Sequence, residues 1–267
     1  MKAVIMAGGE GKRLRPITET MPKPLVPVGN VPAIRRILRL IARYGITEAA
    51  VTTGYLAEKL EETLGKQCDG VNLTYFRETE PRGTAGGVKA AQDFISDGDF
   101  LVISGDAVCE FDLAAAIEKK NGCGAEALMI LTRVAHPGEY GVVLYDSDGR
   151  VTGFSEKPSL SGTYSDTVNT GIYILSPSVL KYIPDNTSYD FGRDVFPDML
   201  SKGANIFAYT DSGYWCDIGD PESYHSANMK YSSDHNSIGA RCEIASREIK
   251  SSVIMQDCKI GTNCRVT

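Results

Sequence analysis

Two kinds of charged residue in this chain stand where chemistry is done. The first are cations set among glycines and prolines near the N-terminus, in Gly8-Gly9-Glu10-Gly11-Lys12-Arg13-Leu14-Arg15-Pro16 and in Pro22-Lys23-Pro24-Leu25-Val26-Pro27-Val28. Gly8, Gly9 and Gly11 let backbone N–H groups approach an anion closely, and Lys12, Arg13 and Arg15 supply charge that a polyphosphate could use. Lys23 is fixed between two prolines, a costly arrangement for an ordinary surface loop. The glycine spacing is not the dinucleotide fingerprint G-x-G-x-x-G, and no G-K-[ST] closes it as in a Walker loop. The second kind are aspartates delivered by apolar runs: Phe100 to Ser104 leads into Gly105-Asp106, and Trp215-Cys216 into Asp217-Ile218-Gly219. Mg²⁺ keeps most of its waters and needs only one or two protein carboxylates, so Asp106 suits it as a hard-oxygen ligand. A glycine-rich turn alone is more often a solvated loop, and a single aspartate more often a cap. Phosphate chemistry is indicated by their occurrence together.

The elements that must position these residues alternate. Ala3 to Ala7 is a short apolar strand emptying into the glycine loop. Pro32 to Tyr44 has Ile34, Ile37, Leu38, Ile41 and Ala42 on one helical face and Arg35, Arg36, Arg39 and Arg43 on a solvated one. Ala49 to Thr53 reads as a strand, Ala57 to Leu64 as a helix and Val71 to Phe76 as an alternating strand. Such alternation implies right-handed βαβ units and a parallel sheet with ligands beyond the carboxyl ends of its strands. Glu78-Thr79-Glu80-Pro81-Arg82-Gly83-Thr84-Ala85-Gly86-Gly87 precedes an expected helix from Val88 to Ile95, and its small residues would let a flat ring or a phosphate lie against the backbone. After the strand from Ala127 to Thr132 the pattern becomes a hairpin, Val142 to Tyr145 and Val151 to Ser155 around Asp148-Gly149. The fold class is α/β: a Rossmann-like, mostly parallel central sheet flanked by helices, with an antiparallel lobe laid over its first half. Thr210 to Ile218 closes this part, and a helix follows from Pro221 to about Tyr231, capped by Asp220.

The 267 residues suffice for one large α/β domain or a domain with a small appendage. A net charge of −6 argues against a nucleic-acid surface, which makes the basic N-terminal cluster a site. No apolar run is long enough to span a membrane or to act as a secretory segment, and a cytoplasmic location is expected. Seven cysteines without a C-x-x-C pair read as reduced thiols. His136, His225 and His235 fall in no motif and are expected to be structural or exposed.

The run Gly8-Gly9-Glu10-Gly11-Lys12-Arg13-Leu14-Arg15-Pro16-Ile17-Thr18, followed by Pro22-Lys23-Pro24-Leu25, resembles the signature of the sugar-1-phosphate nucleotidyltransferases. The likeness extends from Met1 to about Tyr231 through Gly83-Thr84-Ala85-Gly86, Gly105-Asp106, Glu156-Lys157-Pro158, Asn169-Thr170-Gly171-Ile172-Tyr173 and Asp217-Ile218-Gly219. Arg82 departs from it, standing where the family has leucine. The resemblance implies an enzyme that joins a nucleoside triphosphate to a sugar 1-phosphate and releases pyrophosphate, with Mg²⁺ as cofactor. It implies that Ala7, Gly8, Gly9, Gly11, Lys12, Gly83 and Thr84 meet the nucleotide and that Arg13 and Lys23 neutralise its triphosphate. Asp106 and Asp217 would hold the metal and Lys157 the sugar phosphate, with Gly141, Glu156, Asn169, Thr170 and Gly171 around the sugar. The attacking phosphate oxygen is already an anion, so no Ser-His-Asp machinery is needed, and the work is positioning and electrostatics.

Glu80 reads in two ways. As a pure acceptor it suits guanine, whose N1–H and N2–H₂ are adjacent donors, whereas uracil or thymine would be better served by an amide; it is equally an ordinary solvated carboxylate. The run around Glu80 looks most like the mannose-1-phosphate guanylyltransferase branch, giving GTP and mannose 1-phosphate as the expected pair. Uridylyl or thymidylyl transfer to glucose 1-phosphate is the nearest alternative, and a non-catalytic sugar-nucleotide-sensing subunit the alternative of another class.

The expected domains are 1–231, catalytic, and 232–267, a linker and partial left-handed β-helix. In the latter, Ile254, Ile260 and Val266, and Ile238 with Ile244, recur at the hexapeptide step of such a helix, with Cys242, Cys258 and Cys264 at inward positions. The repeat is still running at Thr267, so either a longer natural chain, with a further β-helix or a fused phosphosugar mutase, or packing of this tail on another copy is expected.

Overall fold

The computed structural model describes residues 1–156, 165–232 and 234–267, with Glu156 described by its backbone alone. Lys2–Ala7 (β1) is buried on both sides: Ala3, Ile5 and Ala7 pack with Ile34, Ile37 and Ile41 of the helix Ala33–Arg43 (α1), while Val4 joins a second cluster with Val88 and Phe100 on the opposite face. Burial on both faces is why the strand reads as a continuous apolar run. Glu48–Thr53 (β2) lies parallel beside β1, and Val71–Arg77 (β3) parallel beside β2, after the connecting helix Ala57–Leu64 (α2).

The helix that follows, Gly83–Ala90 (α3), starts five residues before the expected Val88 and ends before Ile95. Gly83-Thr84-Ala85-Gly86 is therefore a first helical turn and not a loop in front of one. Phe100–Ser104 (β4) runs parallel to β1 on its other side, Lys2 opposite Phe100 and Met6 opposite Ser104. β1, β2 and β4 therefore end at one edge of the sheet.

Beyond β4 lie Ala107–Cys109 (β5), Leu113–Cys123 (α4), Ala127–Arg133 (β6), Gly141–Tyr145 (β7), Val151–Glu156 (β8) and Thr167–Leu175 (β9). The sheet they complete is mixed and not mostly parallel. β9 is antiparallel to both β4 and β6, and touches β7 at Val168. Its nine residues serve two neighbourhoods: the apolar end, Ile172 to Leu175, extends the central core, while Thr167 to Asn169 carries the hairpin β7–β8. The antiparallel lobe thus continues the central sheet instead of lying over it. The strand order is β8-β7-β9-β4-β1-β2-β3, with β6 branching from β9.

Phe196–Ser201 (α5) packs its Phe196 against Phe154, Tyr173 and Phe191. Ile206–Thr210 (β10) then pairs parallel with β6, and Trp215–Asp217 (β11) antiparallel with β5. Pro221–Lys230 (α6) opens on a capping box, Asp220 accepting from Ser223 N while the Ser223 hydroxyl accepts from Asp220 N.

The tail makes three successive parallel pairs: Asn236–Ile238 with Ser252–Ile254, Glu243–Ile244 with Lys259–Ile260, and Glu248–Ile249 with Arg265–Val266. It rests on α6 through Ser237 Oγ to Asn228 (3.0 Å) and the His225 ring to Ser251 O (2.6 Å). Ile254 is buried, but Ile238 is 37% exposed and Cys264 is exposed, because so few strands cover one another. Among the described residues no helix is long and apolar enough to cross a membrane.

Candidate functional site

Asp106 and Asp217 are far apart in sequence, and the ribbon of β5 and β11 brings them together. Asp217 pairs with Ala107, the residue after Asp106. Between the two carboxylates lies Lys23, buried in a short 3₁₀ turn, Lys23–Leu25. Its ammonium contacts Asp106 and reaches Asp217 Oδ1 at 3.2 Å, and the Ser104 hydroxyl donates to Asp106 from the end of β4. Gly105 allows this crowding, since a Cβ there would lie 3.2 Å from Met6 O and from Ile5.

Charge in this triad is set by competition. Burial alone would depress the Lys23 ammonium, but the facing aspartates outweigh it and hold its pKa above the ordinary lysine value. Burial likewise pushes Asp106 up, yet Lys23 and the Ser104 hydrogen bond bring it below the usual carboxylate range. Asp217 is raised, by burial first and then by the charge of Asp106, against the pull of Lys23 and Arg13. Asp106 lies where two arms of a cleft adjoin, each of about 300 Å³, and Asp217 lines the second of them.

The first arm is walled by Gly8, Gly9, Thr52, Glu78, Gly83 and Thr84. Gly8 and Gly9 follow Ala7, buried at the end of β1, and Gly54 lets Gly8 O approach, a Cβ at Gly54 lying only 2.9 Å from it. Gly11 adopts φ +62, where its carbonyl accepts from the Thr18 hydroxyl (2.8 Å) and its Cα backs onto the Lys23 stem. Arg13 is exposed at the cleft, near Gly219, where a Cβ would come within 2.7 Å of its guanidinium. Lys12 points to solvent and pairs with Glu10 at 3.3 Å.

Glu80 is exposed and does not line the cleft. Glu78, two residues earlier, faces it instead, half-buried beside Gly8 and Gly87, its carboxyl pushed up by desolvation while the Arg82 N–H donates to it at 3.2 Å. The end of β3 accounts for the choice: one residue past its last member, Arg77, Glu78 N still bonds to Thr53 O (2.7 Å), which holds Glu78 to the sheet edge, whereas Glu80 lies beyond it. At the start of α3 the N–H groups of Thr84, Ala85 and Gly86 already donate to Asp190 and Tyr189, so these three are not free to meet a phosphate.

The second arm is walled by Tyr140, Gly141, Asn169, Gly171, Tyr173 and Trp215. Asn169 is oriented by its own strand: its Nδ2 donates to the Tyr173 hydroxyl (2.8 Å) and its Oδ1 accepts from Gly171 N (3.1 Å). Thr170 also borders the cleft, but its hydroxyl donates to Ile130 O at 2.6 Å and is spent. Trp215 packs edge-on against Tyr140 at 5.4 Å, and its indole N–H is buried without a partner among the described residues. Lys157 and the Glu156 side chain lie outside the described residues; the Glu156 backbone pairs with Gly141.

The cleft thus unites Gly8, Gly9, Arg13, Gly83, Thr84, Asp106, Gly141, Asn169, Thr170, Gly171 and Asp217, with Lys23 behind its two aspartates, while Ala7, Gly11, Lys12 and Glu80 do not line it. Ser104, Glu78, Tyr140, Trp215 and Asp190 are cleft residues that the sequence motifs did not single out; Trp215 lay inside a motif, two residues before Asp217. Among the described residues no group of three or more His, Cys, Asp or Glu side chains is placed to hold a metal ion. Two convergent carboxylates already holding a positive charge between them are nonetheless the donor set an octahedral, water-retaining divalent cation takes.

The chain is 36% identical over 241 residues to a UTP–glucose-1-phosphate uridylyltransferase of Synechocystis, across 85% of this chain and 62% of that one. It is 36% identical over 274 residues to a mannose-1-phosphate guanyltransferase of Schizosaccharomyces pombe, across 99% of this chain and 74% of that one. The chain therefore spans between three-fifths and three-quarters of the length of these relatives. Its fold is similar to that of HddC from Yersinia pseudotuberculosis complexed with GMP-PN, with a TM-score of 0.74, 28% identity, and 86% of this chain and 99% of that one covered. Proteins of this kind generally use divalent metal ions. The Nucleotidyl transferase family profile matches residues 2–234, and the chain belongs to that family.

Proposed function

We propose that this chain joins GTP and mannose 1-phosphate to give GDP-mannose and pyrophosphate. One observation carries the reading: Asp106, bound with Asp217 to the Lys23 ammonium behind it, lines both of two adjoining arms, one walled by glycines and the other by aromatic and amide side chains. A transfer between two bound polyanions needs such a junction. The triphosphate would follow Gly8 to Gly11 in the first arm, and the sugar would occupy the second, its phosphate held by Lys157. Lys23 and Arg13 put positive charge where the α-phosphate and the departing pyrophosphate must lie. Asp106 and Asp217 would hold Mg²⁺, which when bound supplies further charge neutralisation on the phosphates.

Asn169, oriented by Tyr173 and Gly171, is assigned to a sugar hydroxyl, and the buried Trp215 N–H is a second donor on that side. Glu78 supports the guanine reading better than Glu80: ionised, it presents two acceptor oxygens to the adjacent donors of guanine from inside the first arm. The relatives named as mannose-1-phosphate guanyltransferases fit the same pair. Uridylyl transfer to glucose 1-phosphate is the second reading, favoured by the Synechocystis relative.

The parallel pairs after Asn236 support a left-handed β-helix beginning near residue 232, through which copies of the chain would associate. Free thiols at all seven cysteines fit a cytoplasmic setting.

Pyrophosphate release with Mg²⁺, for GTP, UTP, dTTP, ATP and CTP against mannose 1-phosphate and glucose 1-phosphate, tests the proposal. GTP with mannose 1-phosphate is the expected pair. UTP or dTTP with glucose 1-phosphate would discard the role given to Glu78, and no turnover alongside tight sugar-nucleotide binding would favour a sensing subunit.

A further inference from the structure

The first turn of α3 is capped by a segment about a hundred residues further along the chain. Arg82, which precedes it, contributes no side-chain cap. Residues 187–191, which follow β9, reach across instead. Tyr189 O accepts from Ala85 N (2.9 Å) and Gly86 N (3.0 Å), and Tyr189 N donates to Arg82 O (2.9 Å). Asp190 Oδ1 accepts from both Thr84 N (3.0 Å) and the Thr84 hydroxyl (3.1 Å), and that hydroxyl in turn accepts from Phe191 N (3.0 Å).

Two glycines of the Gly83-Thr84-Ala85-Gly86 run exist for this contact. A Cβ on Gly83, which has φ +69, would lie 2.6 Å from Tyr189 O, and one on Gly86 would lie 2.6 Å from Thr187 O. The close approach of backbone to backbone therefore explains a motif that the sequence alone attributes to ligand contact. The carboxylate of Asp190 also complements the positive end of the helix, and its second oxygen is steadied by Arg193 at 3.2 Å. Gly83 and Thr84 form part of the wall of the first arm, so whatever fixes them fixes the surface a nucleotide meets.

We propose that Asp190 is a positioning residue for the nucleoside triphosphate: it caps α3 from the segment that follows β9 and holds Gly83 and Thr84 in register with Gly8 and Glu78. The inference rests on the nucleotidyl-transfer reading above. Because Asp190 also borders the cleft, a direct electrostatic role is the competing explanation, and the two differ in what an uncharged acceptor can replace. An asparagine amide oxygen accepts the same two hydrogen bonds without the charge.

The test compares Asp190→Ala and Asp190→Asn in steady-state kinetics with GTP and mannose 1-phosphate, and in amide hydrogen exchange without substrate. Loss of a helix cap should raise the KM for GTP about tenfold in Asp190→Ala, leave kcat and the KM for mannose 1-phosphate within about twofold, and speed exchange at Thr84, Ala85 and Gly86 about tenfold. Asp190→Asn should restore most of each. A fall in kcat at constant KM, or an Asn variant as impaired as the Ala variant, would overturn the proposal in favour of direct charge. Unchanged exchange would overturn it as well. Should the wild-type protein turn over no nucleotide, the transferase reading falls and takes the nucleotide role of Asp190 with it, whereas turnover with unchanged KM and exchange removes this proposal alone.

Discussion

Lys23 and Arg13 carry the same charge in the same N-terminal segment, and the fold uses them in opposite ways. The Lys23 side chain is only 11% exposed, locked by flanking prolines and shared by two aspartates. Arg13 is exposed at the cleft with neighbours that merely tolerate it, and Lys12 beside it is 68% exposed against Glu10. One cation is part of the architecture before any ligand arrives. Arg13 waits for one, and Lys12 faces solvent. The difference teaches that the charge of Lys23 answers a need of the protein itself, since Asp106 and Asp217 could not face each other at neutral pH without it.

The strongest way to break this contrast is Lys23→Met, which keeps the stem and removes the charge. Turnover should fall by about a thousandfold, the scale of losing a preorganised charge at the reacting phosphates. Stability at pH 7 should fall by about 2–4 kcal/mol in urea denaturation, less than for a fully buried pair because Asp217 keeps partial exposure. The pH dependence sharpens the point. In the wild type the depressed Asp106 stabilises the fold above the unfolded carboxylate pKa of about 3.9, and that contribution is lost as pH falls through its lower folded value. The raised Asp217 acts with the opposite sign, and its stabilisation is lost as pH rises through its folded value. Raised Lys23 stabilises the fold below about pH 10.4 and loses its contribution only at higher pH. Without Lys23 both carboxylates move up, so the deficit of the variant should shrink on acidification toward pH 4. A deficit that stayed constant from pH 7 to 4 would mean that Lys23 acts by packing and not by charge.

How much of this was legible follows the same division between local and assembled features. α1, α2 and the strands β1 to β4 follow from runs and periodicity because each buries its pattern within a few residues. Asp106 was legible because a strand delivers it, and Asp217 because Ile218 and Gly219 complete a motif. The α4 helix escaped: its buried face is Leu113, Ala116 and the stem of Lys120, too sparse to mark a period, and only Asp112 at its start and Gly124 at its end signal it. The mixed sheet was hidden because β9 changes neighbours midway, which is a tertiary choice. Proximity to Gly83 points to Glu80 in the sequence, whereas the last hydrogen bond of β3 decides that Glu78 stays at the sheet edge. The Lys23 bridge could not be seen at all, since its three members come from separate elements.

The next effect in size is Arg13→Ala. The kcat/KM should drop about a hundredfold with no change in melting temperature, because the side chain is exposed and stabilises only bound anions. Lys12→Ala should stay within about threefold, as expected of an exposed ion pair. If the two variants were equally impaired, the cationic loop would act as a diffuse field and Arg13 would lose its separate place.

Gly219→Ala gives the finest test of that place. Its Cβ would meet an Arg13 guanidinium nitrogen at 2.7 Å and an Asp217 oxygen at 3.3 Å. The long arginine can swing aside at little cost to the fold, so the expected result is a loss of activity of about tenfold with unchanged stability. The variant acts by displacing Arg13, so combining it with Arg13→Ala should add nothing further, a coupling that the double-mutant cycle measures directly. Additive losses would show instead that Gly219 acts through Asp217, and the electrostatic role of Arg13 would then have to be argued without its position beside that glycine.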